Sequence, residues 1–176
     1  MTLVGTNICL RALEPEDLGF LYQVENNQEF WSVSDTIAPY SKAVLKTYLA
    51  DSQRSIYDSR QLRLVICLKE SLDPIGFVDL FDFDPRHRKA GLGIVISEEG
   101  QRQKGRAKEA INLVVQYGFR HLELHQLYAY VAVDNAPSVG LFESLGFKCS
   151  GELKSWWKIP DGFADLYVYQ KMRPLS

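Results

Sequence analysis

The chain of 176 residues has few cysteines, no long apolar run and no excess of either charge. Each shortage removes a class of protein. Cys9, Cys67 and Cys149 lie far apart. An odd, scattered set makes a poor disulfide framework, and no pair has metal-ligand spacing. Cys67 sits inside the apolar run Leu64-Val65-Ile66-Cys67-Leu68, so the thiols read as reduced, buried groups of a cytoplasmic protein. No stretch approaches the ~18 apolar residues of a membrane helix. Met1-Thr2-Leu3-Val4-Gly5 carries no basic segment leading into an apolar one, so neither a membrane partner nor a secretory signal is expected. Lys plus Arg number 20 against 22 Asp plus Glu, a formal net charge of −2 that leaves no global basic field for nucleic acid. No G-x-S-x-G elbow of a hydrolase occurs. His121-Leu122-Glu123-Leu124-His125 lacks the H-E-x-x-H order, so no metal site is expected. Internal repeats and Gly/Pro/Ser-rich linkers are also missing.

What remains is 46% hydrophobic and 24% charged, enough apolar material for one core, with residues 1–176 forming a single domain. Asn7–Ala12 alternates as a strand, and Pro15 opens a helix that places Leu18, Leu21, Tyr22 and Glu25 at helical spacing. Ser41 is the expected N-cap of a second helix with Val44, Leu45, Tyr48 and Leu49 on its apolar face. Strands are expected over about Gln61–Lys69, Ile75–Phe83 and Ala90–Ser97, then a helix over about Gln103–Arg120 and a buried strand over Leu127–Val133. Asn135 caps a short helix that Gly146 stops, with Val139, Phe142 and Leu145 inward. Strands at about Phe147–Trp156 and Phe163–Lys171 flank an Asp161-Gly162 turn. Hairpins and strand–helix–strand crossovers together specify a mixed α/β fold, a central sheet covered by helices.

The most informative stretch is Arg102-Gln103-Lys104-Gly105-Arg106-Ala107-Lys108, which joins a buried strand to the long helix. Four basic residues at alternate positions crowd the positive end of a helix dipole, which a bound anion would reverse into a favourable arrangement. Free amides would hold phosphate oxygens, Gly105 would let the chain pass close to them, and Ala107 would keep the next turn narrow. A solvated basic face softened by Glu98, Glu99 and Glu109 is the other reading. Gly100–Ala107 also approaches G-x-x-x-x-G-K-[ST], but Arg106 stands for the lysine and Ala107 for the magnesium-binding hydroxyl, which disfavours nucleotide hydrolysis.

Arg102-x-x-Gly105-x-Ala107 resembles the [QR]-x-x-G-x-[GA] pattern of the GNAT superfamily of N-acetyltransferases. Downstream, Asn135-Ala136-Pro137-Ser138 followed by Leu141-Phe142-Glu143-Ser144-Leu145-Gly146-Phe147 resembles the family's second cofactor segment. The opening Leu10–Leu18 and the closing Asp161–Asp165 are family-like too, so the likeness covers nearly the whole chain. It is closest to the branch holding bacterial spermidine acetyltransferases and ribosomal-protein alanine acetyltransferases. The resemblance implies a mostly antiparallel sheet of about seven strands with about four helices, acetyl-CoA as co-substrate, and an amine acceptor. A homo-oligomer is in keeping with it. It implies that backbone groups of Ile94, Val95 and Ile96 pair with the pantetheine arm, that Arg102, Gln103, Lys104, Gly105, Arg106, Ala107 and Lys108 surround the pyrophosphate, and that Asn135 and Ser138 lie beside the lower pantetheine and the sulfur. Asn135 also reads as a plain helix cap.

Acyl transfer needs a neutral amine, yet an alkylamine with a pKa near 10 is mostly protonated at neutral pH, so a basic group must take the proton. The oxyanion needs a backbone N–H, which the strand at Ile94–Ile96 offers. Asp79 and Asp82, on an otherwise apolar strand, are the acids that would meet a cationic amine. Asp82 falls where the spermidine enzymes carry a substrate-side glutamate. Otherwise Asp82 belongs to the turn with Asp84 and Pro85, and Asp79 pairs with an arginine. Two departures stand out. Phe142 occupies the place of the tyrosine that protonates sulfur in the spermidine enzymes, leaving Ser138 or a water to meet the sulfur. Gly91 follows Arg88-Lys89-Ala90 where many relatives have an acid. Trp31, Tyr40, Trp156 and Trp157 are candidate walls of an acceptor pocket, or else core or interface. The segment Ser34–Tyr40 has one acid where spermidine enzymes have a pair. The expected activity is acetylation of a primary amine, a polyamine first, with a peptide or ribosomal-protein N-terminus as runner-up and a coenzyme-binding module without turnover as the contrasting class.

Overall fold

The computed structural model describes residues 3–31, 36–102 and 104–174. In chain order these form β1 (Leu3–Val4), β2 (Ile8–Ala12), α1 (Leu18–Glu25), α2 (Lys42–Asp51), the single turn α3 (Ile56–Ser59), β3 (Leu62–Leu68), β4 (Pro74–Asp84), β5 (Lys89–Ile96), α4 (Arg106–Arg120), β6 (Gln126–Ala132), α5 (Ala136–Ser144), β7 (Lys148–Ile159) and β8 (Gly162–Met172). One eight-stranded sheet runs β1-β2-β3-β4-β5-β6-β8-β7. Every neighbouring pair is antiparallel except β5 and β6. The mixed, mostly antiparallel sheet is as expected, with one more strand and one more helix. β1 has two residues and α3 four, too few to show a period.

Alternation along the strands divides the core in two. Leu64, Ile66, Val78, Leu80, Leu92, Leu127, Ala129 and Val131 pack with Ile111, Val114, Val115 and Phe119 of α4. Cys9, Val65, Cys67 and Phe77 on the other face meet Leu21, Val24, Leu45 and Leu49 of α1 and α2. Val44 does not join the apolar stripe of α2 and is 53% exposed, because it stands at the rim of a cavity. Cys149 is exposed rather than buried, since β7 is the sheet's edge. Among the described residues no helix is long and apolar enough to cross a membrane.

Local chemistry sets the helix starts. Ser41 Oγ accepts the Val44 amide at 3.2 Å and Asn135 Oδ1 accepts the Ser138 amide at 3.2 Å, both as capping residues. Gly146, at φ 78°, ends α5. Gly105, at φ 74°, leaves helical geometry, so α4 begins at Arg106 and not at Gln103. Arg102 and Lys104 therefore stand in the loop before the helix, not on its first turn, and Gln103 lies outside the described residues. The last hairpin turns through Pro160 and Asp161, with Ile159 paired to Gly162, so Gly162 already belongs to β8.

Two interactions fix the site's supports. The Arg11 guanidinium holds Asp17 through bonds of 2.7 and 2.8 Å, tying β2 to the turn that enters α1. Burial alone would raise the Asp17 carboxyl, but Arg11 and the Glu14 amide hold it below its ordinary 3.8. A lowered carboxyl stabilises the fold above its unfolded value and loses that contribution as pH falls through the folded one. Stability should therefore drop below about pH 3.8. Asp17→Asn should flatten this part of the acid loss while costing about 1–3 kcal/mol at pH 7, as urea midpoints at pH 7 and pH 3 will show. The second support is the close approach of β4 and β5. A Cβ on Gly76 would lie 2.0 Å from the Val95 carbonyl oxygen, a backbone atom that cannot step aside. Gly76→Ala should cost about 2 kcal/mol or more in urea unfolding. Gly151→Ala, with open space around it, should change stability by less than about 0.5 kcal/mol.

Candidate active site

The site begins with a failure of pairing. β5 and β6 are joined only from Lys89 with Gln126 to Gly91 with Tyr128, although β5 continues to Ile96 and β6 to Ala132. Beyond Gly91 the two strands part, and the N-termini of α4 and α5 follow their ends. The Ser97 amide donates to Ile75 on β4 at 2.9 Å. By alternation Val95 and Gly93 also turn their backbone groups to β4, while Ile94 and Ile96 turn theirs into the gap. Of the three residues expected to offer backbone to a pantetheine arm, Val95 is thus directed away, paired to Phe77. The Ile96 carbonyl accepts Arg102 Nε at 3.0 Å.

The loop before α4 carries the unmet polar groups. Among the described residues no side chain caps α4, which leaves its first amides open. Arg102 Nη1 holds Glu29 at 2.7 Å and its guanidinium lies 5.4 Å from the Phe30 ring centroid. Gln101 Oε1, Arg102 Nη2 and Arg106 Nε are buried without partners among the described residues. Two guanidinium donors and a row of amides converging on one loop suit a phosphate ligand. Lys104, Gly105 and Lys108 are exposed, and Ala107 is half-buried. Glu109, on the first turn of α4, turns its carboxylate to Asn7, accepting the Asn7 amide at 2.8 Å and Nδ2 at 3.1 Å. Ser138 is half-buried in the first turn of α5, and its amide rather than its hydroxyl is used in capping. Phe142 is 5% exposed, with its ring against Phe147 at 5.1 Å and Tyr169 at 6.3 Å.

On the other face a cavity of about 860 Å³ reaches the gap at Leu92 and Gly93. It brings Asp79, Asp82, Tyr40, Trp156 and Trp157 together, and adds Glu25, Arg63 and Tyr130, which the sequence reading did not single out. Arg63 alone is charged between Leu62 and the apolar run at Leu64, a signal that a partnered charge sits inside. Asp79 is not a free acid, since Arg63 Nε and Nη2 bind its two oxygens at 2.7 and 2.9 Å. Arg63 Nη1 also binds Glu25, and the guanidinium faces the rings of Phe77 and Tyr48. Asp82 is exposed at the β4 bulge with φ 48°, an uncommon conformation for a side-chain-bearing residue. Burial and then the Asp82 charge push Tyr128 up to about 12. Gly91 has a packing reason: a Cβ there would lie 2.2 Å from the Phe81 ring, which fills the space an acid would need. Trp31 does not line the cavity, and its Nε1 donates to the Glu25 carbonyl at 3.0 Å. Ser34 and Asp35 lie outside the described residues, while Tyr40 is held by Asn26 through bonds of 2.8 and 3.1 Å.

A sheet that splits between two parallel strands, with a basic loop on one side and an acidic, aromatic cavity on the other, has known relatives. The model of the acetyltransferase (GNAT) domain matches residues 7–148. Spermidine N(1)-acetyltransferase of Escherichia coli strain K12 is 35% identical over 151 residues, 84% of this chain and 76% of that one. The crystal structure of spermidine N-acetyltransferase from Vibrio cholerae in complex with CoA and spermine superposes with TM-score 0.84 at 31% identity, covering 96% of each chain. A dodecameric structure of the Vibrio cholerae enzyme gives TM-score 0.79 at 31% identity over 96% of this chain and 95% of that one. The chain belongs to the GNAT acetyltransferase family. It is an acyltransferase that uses acetyl-CoA as co-substrate.

Lys104 is exposed and forms no ion pair among the described residues, so its reversal tests the anion loop without disturbing packing. Lys104→Glu should raise the Kd for coenzyme A at least tenfold, about 1.4 kcal/mol, by titration calorimetry, with the melting temperature unchanged.

Proposed function

We propose that this N-acetyltransferase moves the acetyl group of acetyl-CoA to a primary amine of a polyamine such as spermidine by direct attack. The cavity carries the reading. Among the described residues three carboxylates, Glu25, Asp79 and Asp82, face one guanidinium, Arg63, which leaves a net negative pocket walled by Tyr40, Trp156 and Trp157 for an extended cation. The pocket meets the sheet gap at Gly93, so an amine bound there would reach a thioester held in the gap.

In this reading the backbone of Ile94 and Ile96 pairs with the pantetheine arm. Arg102, Lys104, Arg106 and Lys108, with the amides that follow Gly105 and Ala107, hold the pyrophosphate. Asn135 and Ser138 stand beside the lower pantetheine, with the Ser138 hydroxyl toward the sulfur. Asp82 receives the reacting ammonium, and Asp79 acts through Arg63 as part of the pocket wall. An amide of the β5 edge meets the oxyanion. Residues 1–176 act as one domain, in the cytoplasm, and assemble as a homo-oligomer, as the dodecameric relative does.

A peptide N-terminus is the second reading, and one observation favours it: Arg63 occupies both Glu25 and Asp79, leaving Asp82 to meet a single ammonium. Thiol release from acetyl-CoA should be measured with spermidine, spermine, aminoglycosides and peptides. Turnover with spermidine is expected, and Asp82→Asn should raise its KM at least tenfold while leaving the Kd for coenzyme A unchanged. Turnover with peptides alone would transfer the assignment to the second reading, and tight binding without thiol release from any amine would mean a coenzyme-binding module. Ser138→Ala should lower kcat more than coenzyme affinity; equal kcat would restrict Ser138 to structure.

A further inference from the structure

We infer that Tyr130 is the phenol that carries the proton from the attacking amine to the departing thiolate, a role that rests on the amine-acetylation reading above. The reaction requires one proton to move from nitrogen to sulfur. Phe142 has no hydroxyl to give and is enclosed by other rings. Ser138 can hydrogen-bond a thiolate, but an alkyl hydroxyl is too weak an acid to protonate it, whereas a phenol with a pKa near 10 lies within reach of a thiol near 8.5.

Among the described residues three tyrosines line the cavity: Tyr40, Tyr48 and Tyr130. Tyr40 is on a loop tied to Asn26, and Tyr48 lies on α2 beneath Arg63. Only Tyr130 is on a strand that borders the gap. The last β5–β6 pair joins Gly91 to Tyr128, so continuing that register two residues further sets Gly93 and Tyr130 on opposite borders of the opening. Both line the cavity. Glycine at 93 leaves that side of the opening bare, and among the described residues a Cβ there would meet only the Phe81 ring, at 3.9 Å. The Tyr130 ring is held in place, stacked on Phe81 at 6.5 Å and 28° and set against Tyr128 at 5.6 Å and 66°. Tyr128 is not among the cavity's lining residues.

The step balances without any further reagent. The amine nitrogen attacks the thioester carbonyl carbon, the C–N bond forms and the C–S bond breaks. The amine attacks in its neutral form, the extra proton of the bound ammonium having passed to solvent beside Asp82. The Tyr130 hydroxyl then gives its proton to the leaving sulfur, and its oxygen takes one from the nitrogen that became positively charged on attack. The products are the N-acetyl amine and the free thiol, and the tyrosine ends as it began.

Tyr130→Phe keeps the stacked ring and removes only the hydroxyl. With whichever amine the wild-type chain acetylates, kcat should fall about 100-fold while the Kd for coenzyme A stays within twofold. Replacing Tyr130 by 3-fluorotyrosine, a stronger acid, should restore turnover and move the alkaline limb of the kcat–pH profile to lower pH. A Tyr130→Phe enzyme with kcat within threefold of wild type, or a fluorotyrosine enzyme with an unmoved profile, would overturn the role. Wild-type turnover with peptides but not polyamines would remove the polyamine reading and leave the Tyr130 test intact. A wild-type chain silent with every amine would remove both.

Discussion

The arrangement depends on a ladder that is left unfinished. A parallel pair of strands is stabilised by an evenly spaced set of backbone bonds, and β5 and β6 give theirs up after Gly91 and Tyr128. Each buried amide or carbonyl kept from both water and a partner costs about 1–3 kcal/mol, so such an edge persists only where something else holds the strands apart and the groups find solvent or ligand. Phe81, Tyr128 and Tyr130 form a cluster of rings on the face where the strands separate, and Gly91 is the residue small enough to lie under Phe81. On the opposite face α4 packs against both strands through Ile111, Val114 and Val115. The opening is therefore part of the packed core rather than a fraying end.

Charge is then distributed to the two sides of that opening. On one side the residues before and within the first turn of α4 gather positive charge where the helix dipole already favours an anion. Arg102 is engaged there by Glu29 and by the Ile96 carbonyl, yet among the described residues Nη2 and the Arg106 Nε remain without partners. On the other side Arg63 brings Glu25 and Asp79 together from α1 and β4, fixing one wall of the cavity and leaving Asp82 exposed at a bulge. The Arg63 network costs desolvation and is retained where it shapes a pocket, which is where partnered buried charges have their best use.

Much of the element order was legible because long periodic segments and capping residues reveal themselves. Ser41 and Asn135 mark helix starts, and the 106–120 helix shows its face through Ala110, Ile111 and Val114. The basic loop before α4 was legible as a feature because basic residues at a helix start contradict local rules. The cavity was not, since Glu25, Arg63 and Tyr130 are brought together from α1, β3 and β6 by tertiary packing alone. Pairing of Asp79 with an arginine was among the alternatives that the strand pattern left open, and Arg63 is that arginine. The direction of Val95 depends on which residues bond to β4, a register that hydrophobicity does not record. The helix start slipped by three residues because the left-handed geometry of Gly105 marks the end of the loop, and composition alone does not separate loop lysines from helix lysines.

The most direct measurement is a crystal structure of the chain with acetyl-CoA or coenzyme A bound. The pantetheine amides should lie along β5 with hydrogen bonds to the backbone of Ile94 and Ile96, and the diphosphate should rest on the amides that follow Gly105. A coenzyme found elsewhere, with the β5 edge still open, would contradict the account.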